Sequence, residues 1–189
     1  MSAHGPQTGL RALRGKPFEL LVALERSYGA QTEQSSAAAA LDAWPGLAIR
    51  LGGHSLVVPQ SDVREVLELP TYTRVPRSKG WLLGLANVRG DLLPIIDLQG
   101  LLSGHPGVLS IESRVLMFNH SEIPAGFLVD KVEGLRRFLP DQQRHELVRE
   151  APPYLAPHLL GAFVREGQSW WVLSLHKIAL HGQFLSAAA

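Results

Sequence analysis

WLLGLANVRGDLLPIIDLQGLLSG, residues 81–104, is the most apolar stretch of the chain and decides its fold. Four polar residues stand at intervals inside the apolar run: Asn87, Arg89, Asp91 and Asp97. A strand buried on both faces has no partners for such groups, and burying an unpaired polar group costs free energy. The stretch therefore predicts two buried strands, 81–88 and 92–98, that meet at a tight Arg-Gly-Asp turn.

The segments on either side predict more short strands. Apolar runs at 47–51 and 55–59 flank Gly52-Gly53, which has the composition of a tight hairpin turn. A short helical turn and a strand follow over 62–69. Later strands are predicted at 114–119, 123–130, 132–138 (with a bend or bulge at Gly134), 160–165 and 170–175. Similar strand spacing before and after Gly104 indicates a mainly β fold of two small barrels that share a core, with short helices.

The composition and apolar periodicity of the chain also change along its length. Residues 1–16 lack apolar periodicity and predict a flexible tail. Helical spacing from Pro17 to about Gly29 predicts an N-terminal helical arm, which continues as an alanine-rich linker to residue 44 and packs either on its own domain or on a partner. The domain itself is predicted at 45–185, with the first barrel at about 47–104 and the second at about 108–185.

Composition excludes several classes of function. The chain has 18 Lys and Arg against 17 Asp and Glu, a formal net charge of +1, so nothing in its charge predicts a nucleic-acid partner. It contains no cysteine, which removes disulfides and thiolate metal sites. No segment approaches the roughly 20 apolar residues of a membrane span, and the N-terminus lacks a signal-peptide pattern. We expect a cytoplasmic chain without membrane insertion.

No catalytic pattern stands out in the sequence. The eight histidines are scattered without an HExxH motif, and neither a GxSxG elbow nor a phosphate-binding glycine loop is present. Asp91 and Asp97 are the only candidate carboxylate pair, and Asp97 is expected to cap the short helix that follows it. The sequence favours a binding module with no cofactor, metal or catalytic residue. The alternative is an enzyme or small-ligand binder that uses the crevice between the barrels.

GLANVRGDLLPIIDL, residues 84–98, resembles the signature of the CheW-like domains, in which Gly, Asn, Arg-Gly, Pro and Asp-Leu recur among apolar residues. The flanking segments VREV (63–66), TRVP (73–76) and GFLVDKV (126–132) match the same family. The segments 17–21 and 69–84 further resemble the subgroup found in type IV pilus (twitching motility) chemosensory systems.

This resemblance implies both an architecture and a role. The architecture is two SH3-like five-stranded β-barrels around a shared core. The role is a signal-transduction adaptor that couples the cytoplasmic tip of a chemoreceptor to the regulatory domain of a CheA-type histidine kinase. A docking domain that binds only one signalling partner is a further alternative.

The resemblance also selects residues for partner binding. The arginine of the family motif lies near the groove where receptor and kinase contacts meet, which makes Arg89 a candidate; alternatively, it pairs with Asp91 or with a carboxylate of the first barrel. Val63, Glu65 and Val66 match a receptor-groove segment, although the two valines fit core packing equally well.

Three further residues complete the predicted partner-binding set. Asn87 and Gly90 belong to the turn that carries the motif arginine, and Asn87 also fits a backbone-bonding turn residue. Adjacent strand residues point to opposite faces, so one of Trp170 and Trp171 faces the core and the other faces solvent or a partner. Trp170 is the predicted contact.

Overall fold

The computed structural model describes residues 43–180 and 182–185, where eleven strands and a few short helices confirm a mainly β fold. The strands are Trp44–Leu51 (β1), His54–Pro59 (β2), Val63–Glu68 (β3), Tyr72–Thr73 (β4), Leu82–Val88 (β5), Asp91–Asp97 (β6), Arg114–Phe118 (β7), Gly126–Val129 (β8), Lys131–Phe138 (β9), Leu159–Arg165 (β10) and Gln168–Leu173 (β11). The α-helices are Leu98–Ser103 (α1), Leu175–Ala179 (α2) and Gly182–Leu185 (α3). Short 3-10 helices occupy Gln60–Asp62, Pro140–Gln142, His145–Glu150 and Ala156–His158. The predicted tail and nearly all of the predicted arm lie outside the described residues.

The strands form two sheets whose membership crosses the predicted division near residue 104. The first sheet has the order β10-β11-β2-β1-β9, and the second has the order β3-β7-β8-β6-β5-β4. Each sheet is completed by a parallel pair, β11 on β2 and β8 on β6. The early hairpin 44–59 therefore belongs with the last strands, and 114–129 belongs with the middle ones. Strand spacing does not contain this exchange, because pairing is chosen by which faces can be buried together.

Side-chain alternation gives each sheet two buried faces. One face of both sheets contributes to a large shared core, exemplified by Ile49 of β1 and Phe127 of β8. The opposite face of the first sheet encloses an aromatic cluster, the first-sheet core. The opposite face of the second sheet encloses an aliphatic cluster, the second-sheet core. Two sheets that share one core while each keeps a core of its own agree with the predicted plan of a common centre.

Glycines act at the points where the sequence predicts turns or bulges. Gly52 and Gly53 have φ values of 58° and 81° between the paired residues Leu51 and His54, which confirms the predicted tight hairpin. Gly134 has a φ of 109°, and the pairing of β1 with β9 shifts by one residue beside it. That shift is the predicted bulge.

Asp97 fixes the start of α1, as predicted. Its Oδ1 accepts the backbone N–H of Gly100 at 3.0 Å, and its Oδ2 accepts the N–H of Gly107 at 2.8 Å. The carboxylate thus satisfies two amides that the short helix and the following loop would otherwise leave unpaired. Because the side chain is only 4% exposed, its place is structural.

Candidate partner-binding site

The signature turn between β5 and β6 is a two-residue hairpin loop. Val88 pairs with Asp91, so Arg89 and Gly90 alone make the loop, with φ values of 55° and 95°. Two consecutive positive φ values give the turn geometry that matches the twist of antiparallel strands. The predicted turn role of Asn87 is confirmed, because its Oδ1 accepts the N–H of Gly90 at 2.9 Å. An arginine held in this left-handed region costs about 1–2 kcal/mol of backbone strain.

The Arg89 side chain crosses from the turn to the edge strand β3. Its Nη2 donates to Oε1 of Glu65 at 2.6 Å. The arginine side chain is 74% exposed and the glutamate 30% exposed. Although β3 and β5 are separated by three strands in the sheet order, this ion pair joins them, so the second sheet must curl toward closure at this end. The sequence analysis offered a pairing of Arg89 with a carboxylate of the first barrel (about 47–104) as one alternative, and Glu65 is that carboxylate.

A β-bulge at Arg64 changes which face of β3 the side chains before and after it lie on. Val63 pairs with Phe118 and Glu65 pairs with Met117, which leaves Arg64 as the extra residue. Val63 packs against the shared core, whereas Leu67, further along β3, packs against the second-sheet core. Val63 is half-buried and packs in the core, whereas Val66 is 37% exposed, and the partner contact predicted for Val66 stays a prediction.

Most of the predicted contact residues therefore meet at one end of the second sheet. Glu65, Arg89 and the turn residues form a connected polar group, whereas Val66, next to Glu65 on the same strand, points to the opposite face. We call Glu65, Asn87, Arg89 and Gly90 the Arg89 surface. An edge strand keeps unpaired backbone groups that another protein can meet, which makes this end of the sheet suited to docking.

Trp170 lies elsewhere and corrects the prediction made for it. Its side chain is 2% exposed and belongs to the first-sheet core, where its ring lies 6.3 Å from that of Phe138. The guanidinium of Arg136 covers the ring at 4.9 Å from its centroid. The neighbouring Trp171 is half-buried, and its Nε1 donates to the Leu147 carbonyl at 3.0 Å. Alternation along β11 holds, but both of its faces are buried: Trp170 lies in the first-sheet core and Trp171 packs against the shared core. The predicted solvent or partner face for one of the two tryptophans is therefore wrong.

One apolar residue of this region was missed. Leu92 pairs with Asn87 across the hairpin and is 61% exposed, next to the Arg89 surface. The sequence contains a usable signal for it: cross-strand neighbours lie on the same face, and Asn87 was already expected at the surface. An exposed leucine beside a fixed ion pair extends the surface with apolar area.

Two carboxyl groups with shifted pKa values lie away from the Arg89 surface. Burial raises the pKa of Asp130, against the effect of the backbone N–H of Gly52, which donates to its Oδ2 at 2.8 Å. The hydrogen bond from Nε of Arg50 to Oε1 of Glu133, at 2.6 Å, lowers the pKa of Glu133. Both groups are tied into structural contacts of the strands, so their shifts have a structural cause.

The described residues also bear on the predicted enzyme alternative. Among residues 43–180 and 182–185, no three His, Cys, Asp or Glu side chains form a group that would bind a metal ion. Asp97 is occupied as a helix cap and Asp91 is exposed at the turn, so the candidate carboxylate pair does not line a common site. In the same part of the chain, no helix combines the length and apolarity needed to cross a bilayer.

Known proteins resemble this chain over most of its length. A family model described as "CheW-like domain" matches residues 45–182. Protein PilI of Pseudomonas aeruginosa is 39% identical over 180 residues, which cover 91% of this chain and 96% of that protein. Protein FrzA of Myxococcus xanthus is 32% identical over 123 residues, 62% of this chain and 72% of that protein. The crystal structure of the scaffolding protein TtCheW from Thermoanaerobacter tengcongensis superposes with a TM-score of 0.62 at 19% identity, covering 75% of this chain and 95% of that one. That last match shows the fold alone.

Proposed function

This chain belongs to the CheW-like family, and from that premise we propose that it couples a chemoreceptor to a CheA-type histidine kinase. The family model spans both sheets, and the resemblance predicted from residues 84–98 is thereby confirmed. Proteins of this family are scaffold adaptors without catalysis, so the chain is not an enzyme. The proposal adds the identity of the partners and the pathway.

The Arg89 surface is the observation that carries the proposal. An arginine that only stabilises its own fold gains little from an exposed ion pair, since such pairs contribute about 0–1 kcal/mol. Its backbone strain is of the same size or larger. Because strain of this kind concentrates at binding sites, the 74% exposed guanidinium is best explained as a group held ready for a partner's carboxylate.

The pathway is proposed from the resemblance to Protein PilI. Similarity to Protein PilI extends over 91% of this chain, including the segment that precedes the first strand. Control of type IV pilus twitching motility is therefore the favoured output, with recruitment of the chain to membrane-bound receptor arrays in the cytoplasm. Flagellar chemotaxis is the competing output.

Binding measured with the two proposed partners tests the function. The full chain is titrated with the cytoplasmic tip of the receptor and with the regulatory domain of the kinase from the same organism. We expect both to bind, together as well as separately. If the chain binds neither protein, the proposal is wrong, and if the two compete for it, a single-partner docking domain replaces the adaptor.

An Arg89→Ala variant tests the surface. We expect at least a tenfold loss of affinity for one of the two partners, because a desolvated partner carboxylate loses its charge-assisted hydrogen bonds. The matched control is Lys131→Ala, which removes another exposed ion pair, from Nζ of Lys131 to Oε1 of Glu112. Equal affinities in the Arg89 variant, the control and the wild type exclude Arg89 from the contact.

A further inference from the structure

A basic segment without acidic residues lies at the opposite end of the second sheet from the Arg89 surface. Between Glu68 and Asp91 the chain contains Arg74, Arg77, Lys79 and Arg89 but no Asp or Glu. The first three fall within six residues of the β4–β5 connection and are exposed. None of the three forms an ion pair within the described part of the chain. Such a cluster is notable in a chain whose net charge is only +1.

The backbone of this segment is fixed. The Ser78 hydroxyl donates to the Val75 carbonyl at 2.8 Å, and the Leu82 N–H donates to the Lys79 carbonyl at 3.0 Å. Arg77 has a φ of 56°, a left-handed conformation that a non-glycine residue adopts at a cost. The cations are therefore presented by an ordered turn, so a partner that meets them does not have to order the loop.

Two adjacent depressions open beside these cations and share Lys79. The larger has a volume of about 570 Å³ and is lined by Trp81, Leu101 and Leu102, among others. The smaller, of about 240 Å³, lies between Arg74 and the leucines that begin β5. We call this combination of Arg74, Lys79, Trp81, Leu101 and Leu102 the Lys79 groove. Its floor combines these apolar side chains with Ser103 and glycines, and its rim is basic.

We propose that the Lys79 groove binds a helix of a partner protein that carries acidic and large apolar side chains. Charge complementarity selects acidic residues for the rim, and the half-buried Trp81 and Leu102 select leucine-sized or aromatic side chains for the floor. The apolar side chains are recessed rather than protruding, so the shape suits a helix better than a flat anionic membrane. This inference deepens the proposed function and rests on it.

The placement of the groove suits an adaptor. Trp81 and Arg89 flank the two ends of β5, whose seven residues of extended chain separate them by roughly 25 Å. A partner at one end therefore leaves the other end open. A chain that joins two proteins needs two such separate surfaces, and the second sheet provides both.

Charge reversal in the full chain tests the groove. The variant is Arg74→Glu/Lys79→Glu, and the matched control is Arg144→Glu/Arg149→Glu, which makes the same charge change on two exposed arginines of the 139–158 connection. The probes are the receptor tip and the kinase regulatory domain, at 50 and 300 mM NaCl, together with vesicles containing phosphatidylglycerol. Circular dichroism and thermal unfolding verify that both variants fold like the wild type.

We expect the groove variant to bind one protein probe at least tenfold more weakly at 50 mM NaCl, with a smaller loss at 300 mM, while the control stays within twofold. If wild type binds the probes and the groove variant matches the control, the groove proposal is wrong and the proposed function stands. If the wild type binds neither probe, the proposed function is wrong, and the groove proposal, which rests on it, is wrong as well. If the groove variant alone loses vesicle binding while its affinities for both proteins are unchanged, the groove binds a membrane instead. That result overturns the proposal.

Discussion

The first sheet encloses aromatic rings, whereas the second sheet encloses aliphatic side chains and carries the exposed signature turn. In the first-sheet core, the Phe138 ring lies 4.8 Å from that of Phe163 and 6.3 Å from that of Trp170. The second-sheet core contains Ala86, Val88, Leu93, Ile95, Val115 and Leu128, and the same sheet carries the exposed ion pair of Arg89 with Glu65. A large aromatic side chain buries more area, so the first sheet gains more stability from each residue.

This difference indicates a division of labour between the sheets. The tryptophan that looked like an anchor is sealed inside the first sheet beneath Arg136. Two arginines of positive φ, Arg77 and Arg89, and the two candidate partner surfaces belong to the second sheet, whereas the first sheet has one such residue, Glu166, in its β10–β11 turn. If the division is correct, changes inside the first sheet act on stability, and changes at the turn of the second act on binding.

The largest effect is expected from Trp170→Ala. Removing a ring that is 2% exposed leaves a cavity, and the free energy of unfolding should fall by about 3–5 kcal/mol. Urea denaturation measures this loss. Leu160→Ala, at a side chain 50% exposed on the same sheet, is the control and should change stability far less. A Trp170 variant as stable as the control contradicts the sealed first sheet.

Asp97→Ala should have the next largest effect. The change leaves the backbone N–H groups of Gly100 and Gly107 without their carboxylate partner, at a cost of about 2 kcal/mol. Asp91→Ala, at the exposed turn, is the control and should stay within about 0.5 kcal/mol. Thermal unfolding of the two variants separates a structural aspartate from a surface one, and equal losses show that the cap is unimportant.

Glu133→Gln tests electrostatics within the first sheet. Because the contact with Arg50 lowers the folded-state pKa of Glu133 below 4.5, its stabilisation is present above the unfolded value and is lost as the pH falls through the folded pKa. We expect the variant to lose about 1 kcal/mol at pH 7 and to approach wild type in acid. Denaturation at pH 7 and pH 3 measures this, with Glu112→Gln at an exposed pair as the control. A difference that grows in acid reverses the sign and contradicts the assignment.

The smallest effect separates backbone from side chain at the signature turn. Arg89→Gly and Arg89→Ala both remove the ion pair with Glu65, but glycine accepts a φ of 55° without strain. Arg89→Gly should therefore be more stable than Arg89→Ala by up to about 1 kcal/mol, while both bind the affected partner equally weakly. Partner affinities that differ between the two variants show that the shape of the turn contributes to binding along with the guanidinium.

Local features of the structure were readable from local sequence. The Gly52-Gly53 hairpin, the Gly134 bulge and the Asp97 cap each depend on one or two residues whose conformational or hydrogen-bonding preference is strong. The Arg89 turn was found in the same way, because a two-residue loop between apolar strands has few solutions. The hairpin pairings of β1 with β2 and of β5 with β6 were predicted, but the parallel pairings of β11 with β2 and of β8 with β6 were not, because they join strands that are not consecutive in the sequence.

The sequence by itself determined the mainly β class, the turns and the family, because these depend on short-range periodicity and on a long continuous motif. The tertiary structure decided which strands share a sheet, which of the adjacent tryptophans is buried, and that Glu65 is the carboxylate that meets Arg89. Each of these outcomes depends on contacts between residues that are far apart in the chain. In a packed sheet, the burial of one face against distant strands also determines what the other face contacts. Alternation predicts that two faces exist, but only the packed sheets decide which face meets water.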